Sequence, residues 1–225
     1  MEKTFADQVI AFHLKLQPDV VLPEGVDWIN PFEQQATISS FSKFFNKYYG
    51  DTNKRIFLFG INPGRFGAGI TGVPFTDPIR LENSCGIEND YQKRQELSSV
   101  FIYELIDQLG GVKKFYSEYY ITSLSPLGFI KQGKNYNYYD DKILWKNVEP
   151  FIIKNIKTQI EFGAWKAVAF SLGKGKNFTY LKKLNDQYQF FEKVLPLPHP
   201  RWVMQYRLKR KNEFLSEIVN LLTNR

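Results

Sequence analysis

The stretch FLFGINPGRFGAGITGVPFTDP, residues 57–78, opens as a strand and then breaks into a turn with five glycines and three prolines. Charge stops after Lys54 and Arg55, and residues 56–60 carry none. Such a run reads as a short strand of a parallel sheet, buried on both faces. Glycine lets a backbone approach another group where a side chain would obstruct it. Asn62 stands at the strand end, where α/β sheets hold their ligands.

Working outward, residues 4–16 place Phe5, Val9, Phe12 and Leu16 at helical spacing, with His13 beside that face in a structural role. Residues 19–31 read as a proline-broken loop. Residues 38–49 read as a helix with Phe41, Phe44 and Phe45 inward. Residues 96–109 form a helix closed by Gly110 and Gly111. A second strand is expected over 119–124. A helix follows over 141–156, or two because of Pro150. Further strands fall at 167–172 and 194–197, the last ending in Pro198-His199-Pro200, and a final helix at 206–222. Strands alternating with helices predict a three-layer α/β/α fold with a short four-stranded parallel sheet. One domain over 1–225 is expected, with residues 1–54 as an N-terminal helical extension.

The chain has 225 residues, 43% hydrophobic and 16% aromatic, enough for the core of one α/β domain. Thirty Lys and Arg against 23 Asp and Glu leave a charge of +7. That surplus fits a polyanion partner or a merely basic surface, and its distribution must decide. A single cysteine, Cys85, excludes an internal disulfide and a cysteine metal cluster. His13 and His199 are the only histidines, so a histidine metal cluster is poorly supported; no metal and no cofactor are expected. No apolar run reaches the ~20 residues of a membrane helix. The amphipathic start carries acids and lacks a signal-peptide apolar core. These features predict a cytoplasmic monomer.

Residues 67–72 spell GxGxxG, yet the dinucleotide fingerprint needs its first glycine at the strand end and a helix opening on its last. Here the first comes seven positions after Gly60, and Pro74 and Pro78 argue against a helix start. A Walker loop would need Gly-Lys-Ser/Thr, and a serine hydrolase elbow would need G-x-S-x-G; neither is present.

Gly60-Ile61-Asn62-Pro63-Gly64, Phe66-Gly67 and Thr71-Gly72-Val73-Pro74-Phe75 together resemble the first active-site motif of uracil-DNA glycosylases. The likeness is strongest to the single-strand-selective monofunctional branch. His199-Pro200 is similar to the start of that superfamily's second motif, and the resemblance covers residues 55–211. Two departures mark a distinct subfamily. Ser123, in Ser123-Leu124-Ser125-Pro126-Leu127, stands where the branch has an asparagine that reads the uracil edge. Arg201-Trp202 follows His-Pro directly, where the branch continues Ser-Pro-Arg.

The resemblance implies a monofunctional DNA glycosylase that hydrolyses the N-glycosidic bond of uracil, or another deaminated or modified base, in DNA. Such an enzyme flips its base into a pocket. By the same resemblance Asn62 orients the attacking water, and His199 donates a hydrogen bond to charge developing on the departing base. Phe75 stacks on that base. Gly60, Ile61, Pro63, Gly64 and Ser123 surround it, and Gly64 leaves room at C5 where the classical enzymes carry a tyrosine. The run RWVMQYRLKRK, residues 201–211, has no acid. Arg201, Trp202, Arg207, Lys209 and Arg210 are therefore candidate DNA contacts, with Trp202, Val203 and Met204 as an apolar wedge. Lys131 and Lys134 are candidates for a further contact. A nucleotide-binding or nucleotide-hydrolysing α/β protein, and an inactive basic DNA-binding module, are the rival readings.

Overall fold

The structure, a computed structural model, describes residues 2–224. In chain order it contains α1 (Phe5–Leu14), β1 (Val26–Ile29), α2 (Gln35–Tyr48), β2 (Arg55–Gly60) and α3 (Ala68–Thr71). There follow α4 (Pro78–Asn83), α5 (Leu97–Gln108), α6 (Gly111–Glu118), β3 (Tyr119–Ser123), β4 (Gly128–Lys131) and β5 (Lys134–Tyr136). The chain closes with α7 (Lys142–Ile160), β6 (Ala164–Leu172), α8 (Lys176–Tyr188), β7 (Lys193–Leu197), α9 (Pro200–Tyr206) and α10 (Lys211–Thr223). Single 3-10 turns sit at Pro31–Glu33 and Leu208–Arg210.

Four strands form the parallel sheet in the order β3-β2-β6-β7, flanked by helices. The central strand β2 and its neighbour β3 are buried at every position. That explains why residues 56–60 and β3 are uncharged and rich in aromatic side chains, since water reaches neither face. The connection from β2 runs one way to β3, and the next crossover runs the other way to β6. The gap between the ends of β2 and β6 is the switch point at which such sheets bind ligands.

The structure departs from the sequence reading at several elements. Residues 19–31 are not all loop, because β1 pairs with β4, and β4 with β5, as a separate antiparallel sheet. Gln132 and Gly133 both take positive φ, the geometry of a two-residue hairpin turn. Pro150 lies within one unbroken α7, where buried Val148, Phe151 and Ile152 hold the helix on the core. Gly110, at φ +97°, ends α5 and at once begins α6, a helix that glycine punctuation had hidden. Pro78 does open a helix, at the first position of α4, where proline's missing N–H costs nothing. Asp77 caps it through the Arg80 N–H at 2.9 Å. The final helix divides into α9 and α10 around the 3-10 turn.

Arg55 belongs to β2 and is completely buried. Its guanidinium lies 4.8 Å from the ring centroids of Phe5 and Tyr49 and makes two hydrogen bonds to Asp51, at 2.8 and 2.9 Å. It also donates to the Tyr116 carbonyl at 2.9 Å. The N-terminal helices are thereby fixed to the sheet, and Phe5, Val9, Phe41, Phe44 and Phe45 join the core that contains Phe57 and Tyr120.

His13 is buried among Phe12, Phe32 and Phe41, with ring centroids 4.9 Å away. Its Nδ1 donates to the Val9 carbonyl at 2.8 Å. Burial pulls its pKa down to about 4, against an ordinary 6.5. The unfolded chain therefore binds a proton that the folded chain refuses between those values, and stability falls as pH drops through that window. From pH 7 to 4.5 this one residue is expected to remove about 2 kcal/mol. Urea titrations at both pH values check this: His13→Phe should show a loss smaller by that amount. An equal loss in both proteins would discard the account.

Candidate active site

A cavity of about 600 Å³ opens at the β2/β6 switch point. Asn62, Phe75 and His199 all line it, as do Ile61, Pro63, Gly64, Arg201 and Trp202. Residues following β2 and β7 thus meet residues 173–177, which follow β6, at one hollow.

Asn62 is held from two directions. Its Nδ2 donates to the Tyr136 carbonyl at 3.2 Å and the Pro63 carbonyl at 3.3 Å, while its Oδ1 accepts from the Tyr138 N–H at 3.2 Å. These partners assign the amide unambiguously, because a flipped amide would set NH₂ against N–H and oxygen against two carbonyls. The Tyr138 hydroxyl in turn donates to Asn177 Oδ1 at 3.1 Å. Asn177 Nδ2 donates to the Phe59 and Gly60 carbonyls, at 3.2 and 3.3 Å, and to Ser171 Oγ at 3.1 Å. One polar network therefore joins Asn62 to the ends of β2 and β6. Gly128 allows the close approach of β4 to this turn, since a Cβ there would overlap the Pro63 carbonyl oxygen.

Phe75 has φ +52°, a left-handed conformation unusual for a bulky residue. The neighbours enforce it. Thr71 Oγ1 donates to the Thr76 carbonyl at 2.7 Å, Thr76 Oγ1 meets the Tyr103 hydroxyl at 3.0 Å, and the Asp77 N–H donates to Ser99 Oγ at 3.1 Å. Strain of this kind persists only where the surroundings over-determine it. The ring comes within 6.3 Å of the His199 ring, centroid to centroid, across the cavity.

His199 caps α9, and its Nδ1 accepts from the Arg201 N–H at 3.2 Å. Nδ1 must therefore be unprotonated, which leaves Nε2–H as a donor. Desolvation, and secondarily the Arg201 charge, lowers its pKa to about 4. The ring is neutral at physiological pH.

Gly64 faces a polar wall. A Cβ there would stand 3.3 Å from Asn135 Nδ2, 3.5 Å from Glu96 Oε1 and 3.9 Å from Arg201 Nη2. Glu96 pairs with Arg201 at 3.3 Å and accepts from Ser98 Oγ at 2.9 Å. Burial raises its pKa, opposed by those two hydrogen bonds. Its carboxylate occupies the space that a side chain at Gly67 would need.

Several sequence expectations shift. Gly60 and Ser123 pair across β2 and β3 but lie outside the cavity lining. A Cβ at Gly60 would meet Phe75 Cε2 at 2.9 Å and Ser123 Oγ at 3.2 Å, so these small residues make space for the Phe75 ring. Val203 is fully buried and Met204 packs against the core, so neither is an exposed wedge. Trp202, Tyr206 and Leu208 are the exposed apolar side chains there. Arg201 turns into the cavity toward Glu96, and Arg210 pairs with Glu213 at 2.8 Å. Arg207 lies 4.9 Å over the Trp202 ring, and Lys209 is exposed. The last glycine of the GxGxxG stretch, Gly72, ends α3 rather than opening a helix. Among the described residues, no group of three or more His, Cys, Asp or Glu side chains is placed to hold a metal. No described helix is long and apolar enough to cross a membrane.

Sequence reasoning missed Glu96, Asn135 and Tyr139, which line the cavity. The rule that ligands sit at strand ends does reach the turn after Leu172, whose residues 173–177 line it too.

The family model of the uracil DNA glycosylase superfamily matches residues 47–223. The chain belongs to this superfamily and is a DNA glycosylase, an enzyme of DNA repair. It is similar over nearly its whole length to wild-type SMUG2 of Pedobacter heparinus, with 43% of residues identical and a TM-score of 0.96. That likeness covers 99% of this chain and 98% of the other. No curated protein matches.

Proposed function

We propose that this chain is a monofunctional glycosylase acting on uracil and on other deaminated or modified bases in DNA, working as a cytoplasmic monomer. The observation that carries the reading is the convergence of Asn62, Phe75 and His199 on one cavity at the sheet's switch point. The flipped base lies against Phe75. As the C1′–N bond breaks, the electron pair stays with the base, and His199 Nε2–H donates to the oxygen that takes up its charge. Water held by Asn62 Oδ1 attacks C1′ and loses its proton to solvent. The departing base anion takes up a proton. Ile61 and Pro63 line the base's surroundings, and Arg201, Trp202, Arg207, Lys209 and Arg210 serve the strand around it.

Gly64 supports a range broader than uracil, because the space beside it is bounded by polar groups that can satisfy a substituent. Ser123 contributes through Phe75. A hydroxyl behind the ring sets little constraint on the base edge, whereas an asparagine would reach past it with a fixed donor and acceptor. The test uses oligonucleotides carrying uracil, xanthine, hypoxanthine or 5-hydroxymethyluracil, with EDTA present. Wild type is expected to release uracil and at least one of the others, and Ser123→Asn to shift the ratio toward uracil. Release of uracil alone, unchanged by the substitution, would remove Ser123 as a determinant of range. No release from any of them, with nucleotide binding instead, would favour the nucleotide-binding reading.

A further inference from the structure

Two arginines beside the cavity share one aromatic ring. The Arg65 guanidinium carbon lies 4.3 Å from the Phe66 ring centroid and that of Arg94 lies 3.6 Å from it. The two charges therefore stand within about 8 Å of each other, inside one Debye length at physiological salt. Arg65 also donates through Nη1 to the Gly133 carbonyl in the β4–β5 turn. Among the described residues neither arginine pairs with a carboxylate, although Arg80, Lys93, Arg201, Arg210 and Lys211 all do. Like charges drawn together without a counterion repel one another, and anionic groups brought to them relieve that cost.

The position fits such an anion. The Arg65 N–H donates to Asn135 Oδ1 at 3.0 Å, and Asn135 and Gly64 line the cavity. Arg94 precedes the cavity residue Glu96 by two positions. Lys134 on the same hairpin is exposed, and Lys131 lies over the Tyr136 ring at 5.3 Å. The cationic residues Arg207 and Lys209 come after Trp202 and Gln205, which line the cavity from α9, after β7, whereas Arg65 follows β2. Stacking on an aromatic ring orders a guanidinium before the ligand arrives, and its planar fork suits a phosphate.

We propose that Arg65 and Arg94 form a phosphate clamp that holds the DNA strand on one flank of the flipped nucleotide, while Arg207 and Lys209 hold the other flank. The clamp rests on the glycosylase reading of the cavity. It assigns DNA contacts to the turn after β2 and to the segment before α5.

The test uses two single-stranded oligonucleotides, one with uracil near its 5′ end and one with uracil near its 3′ end, so that each offers one flank only. Arg65→Gln/Arg94→Gln is expected to weaken binding of one of them about tenfold and leave the other near wild type. Arg207→Gln/Lys209→Gln is expected to show the reverse preference. On a centrally placed lesion, each pair should lower the slope of log affinity against log salt by roughly 0.7 for every phosphate it holds on a single strand, so by at least that amount. Lys54→Gln/Lys193→Gln removes the same charge at the opposite end of the strands, and should bind as wild type. Equal losses on both oligonucleotides, or an unchanged slope, would overturn the clamp. Base release by wild type is scored separately. If wild type releases base and Arg65→Gln/Arg94→Gln binds both oligonucleotides as wild type does, the clamp alone fails. If wild type releases none, the glycosylase reading fails.

Discussion

Asn62→Ala is expected to slow single-turnover base release by at least about 10²-fold, the scale of losing a positioned reactant. The lock on this amide makes a second substitution more telling. A carboxylate is the better base, so Asn62→Asp would improve a site limited by proton abstraction. Here the atom replacing Nδ2 would face the carbonyls of Tyr136 and Pro63, which sit 3.2 and 3.3 Å from the present amide nitrogen. Three oxygens without a proton among them repel, so the new carboxyl is expected to stay protonated, donate to a carbonyl and fall below wild type in rate. Both substitutions also carry a structural cost. Removing Oδ1 leaves the Tyr138 N–H unpaired, worth roughly 1–3 kcal/mol if it stays buried. Thermal melting separates the two effects, since Asn62→Asp retains an oxygen for Tyr138 and should melt above Asn62→Ala while releasing base slowly. A rate for Asn62→Asp above wild type would show that Asn62 does not act by orientation.

The parts of this site that were legible in the sequence share one property: each lies in or beside a strand end whose local chemistry is distinctive. Asn62 follows an uncharged run and stands among glycines and a proline, and His199 sits between two prolines. The parallel sheet was legible because burial on both faces leaves residues 56–60 and β3 without charge. The antiparallel sheet was not. β1 is four residues and β5 three, and β1 pairs with a strand about a hundred positions away, which local periodicity cannot register. Yet that sheet supplies Asn135 to the cavity wall, and the chain leaving it supplies the Tyr138 N–H that locks Asn62.

Glu96 shows a second kind of limit. In sequence it opens a helix, a common place for an acid. Its role at the cavity appears only when Arg201, more than a hundred residues later, comes to 3.3 Å. The basic run 201–211 is less uniform than its sequence for a related reason. Read alone it is a uniform cationic stripe, but folding buries Val203, turns Arg201 inward and gives Arg210 and Lys211 carboxylate partners. Ser123 was placed by likeness to an edge-reading asparagine, but it lies outside the cavity lining, whereas Phe75, in a left-handed turn, lies within it. Backbone conformations of that kind carry no signature at a phenylalanine.

His199→Ala is expected to lower the single-turnover rate by on the order of 10²–10³, as for the loss of one oxyanion donor. Alanine also removes the cap of α9, so a second variant is needed. Asparagine is a favoured N-cap and can accept from the Arg201 N–H as Nδ1 does now, but it is too short to present a donor where Nε2 stands. His199→Asn should therefore keep the melting temperature of wild type and still lose the rate. The protonation state gives an independent check. With its pKa near 4, the imidazole is neutral throughout the range from pH 6 to 8. The wild-type rate is then expected to be level across that range. A histidine acting as a cation from its ordinary pKa of 6.5 would instead impose a titration within it. Protonation of Nδ1 would also set N–H against the Arg201 N–H, so acid should reduce activity and loosen α9 together, at a pH well below 6. An inflection near pH 6.5 in wild type that vanishes in His199→Asn would mean that the charged form does the work, and the neutral-donor mechanism would be abandoned.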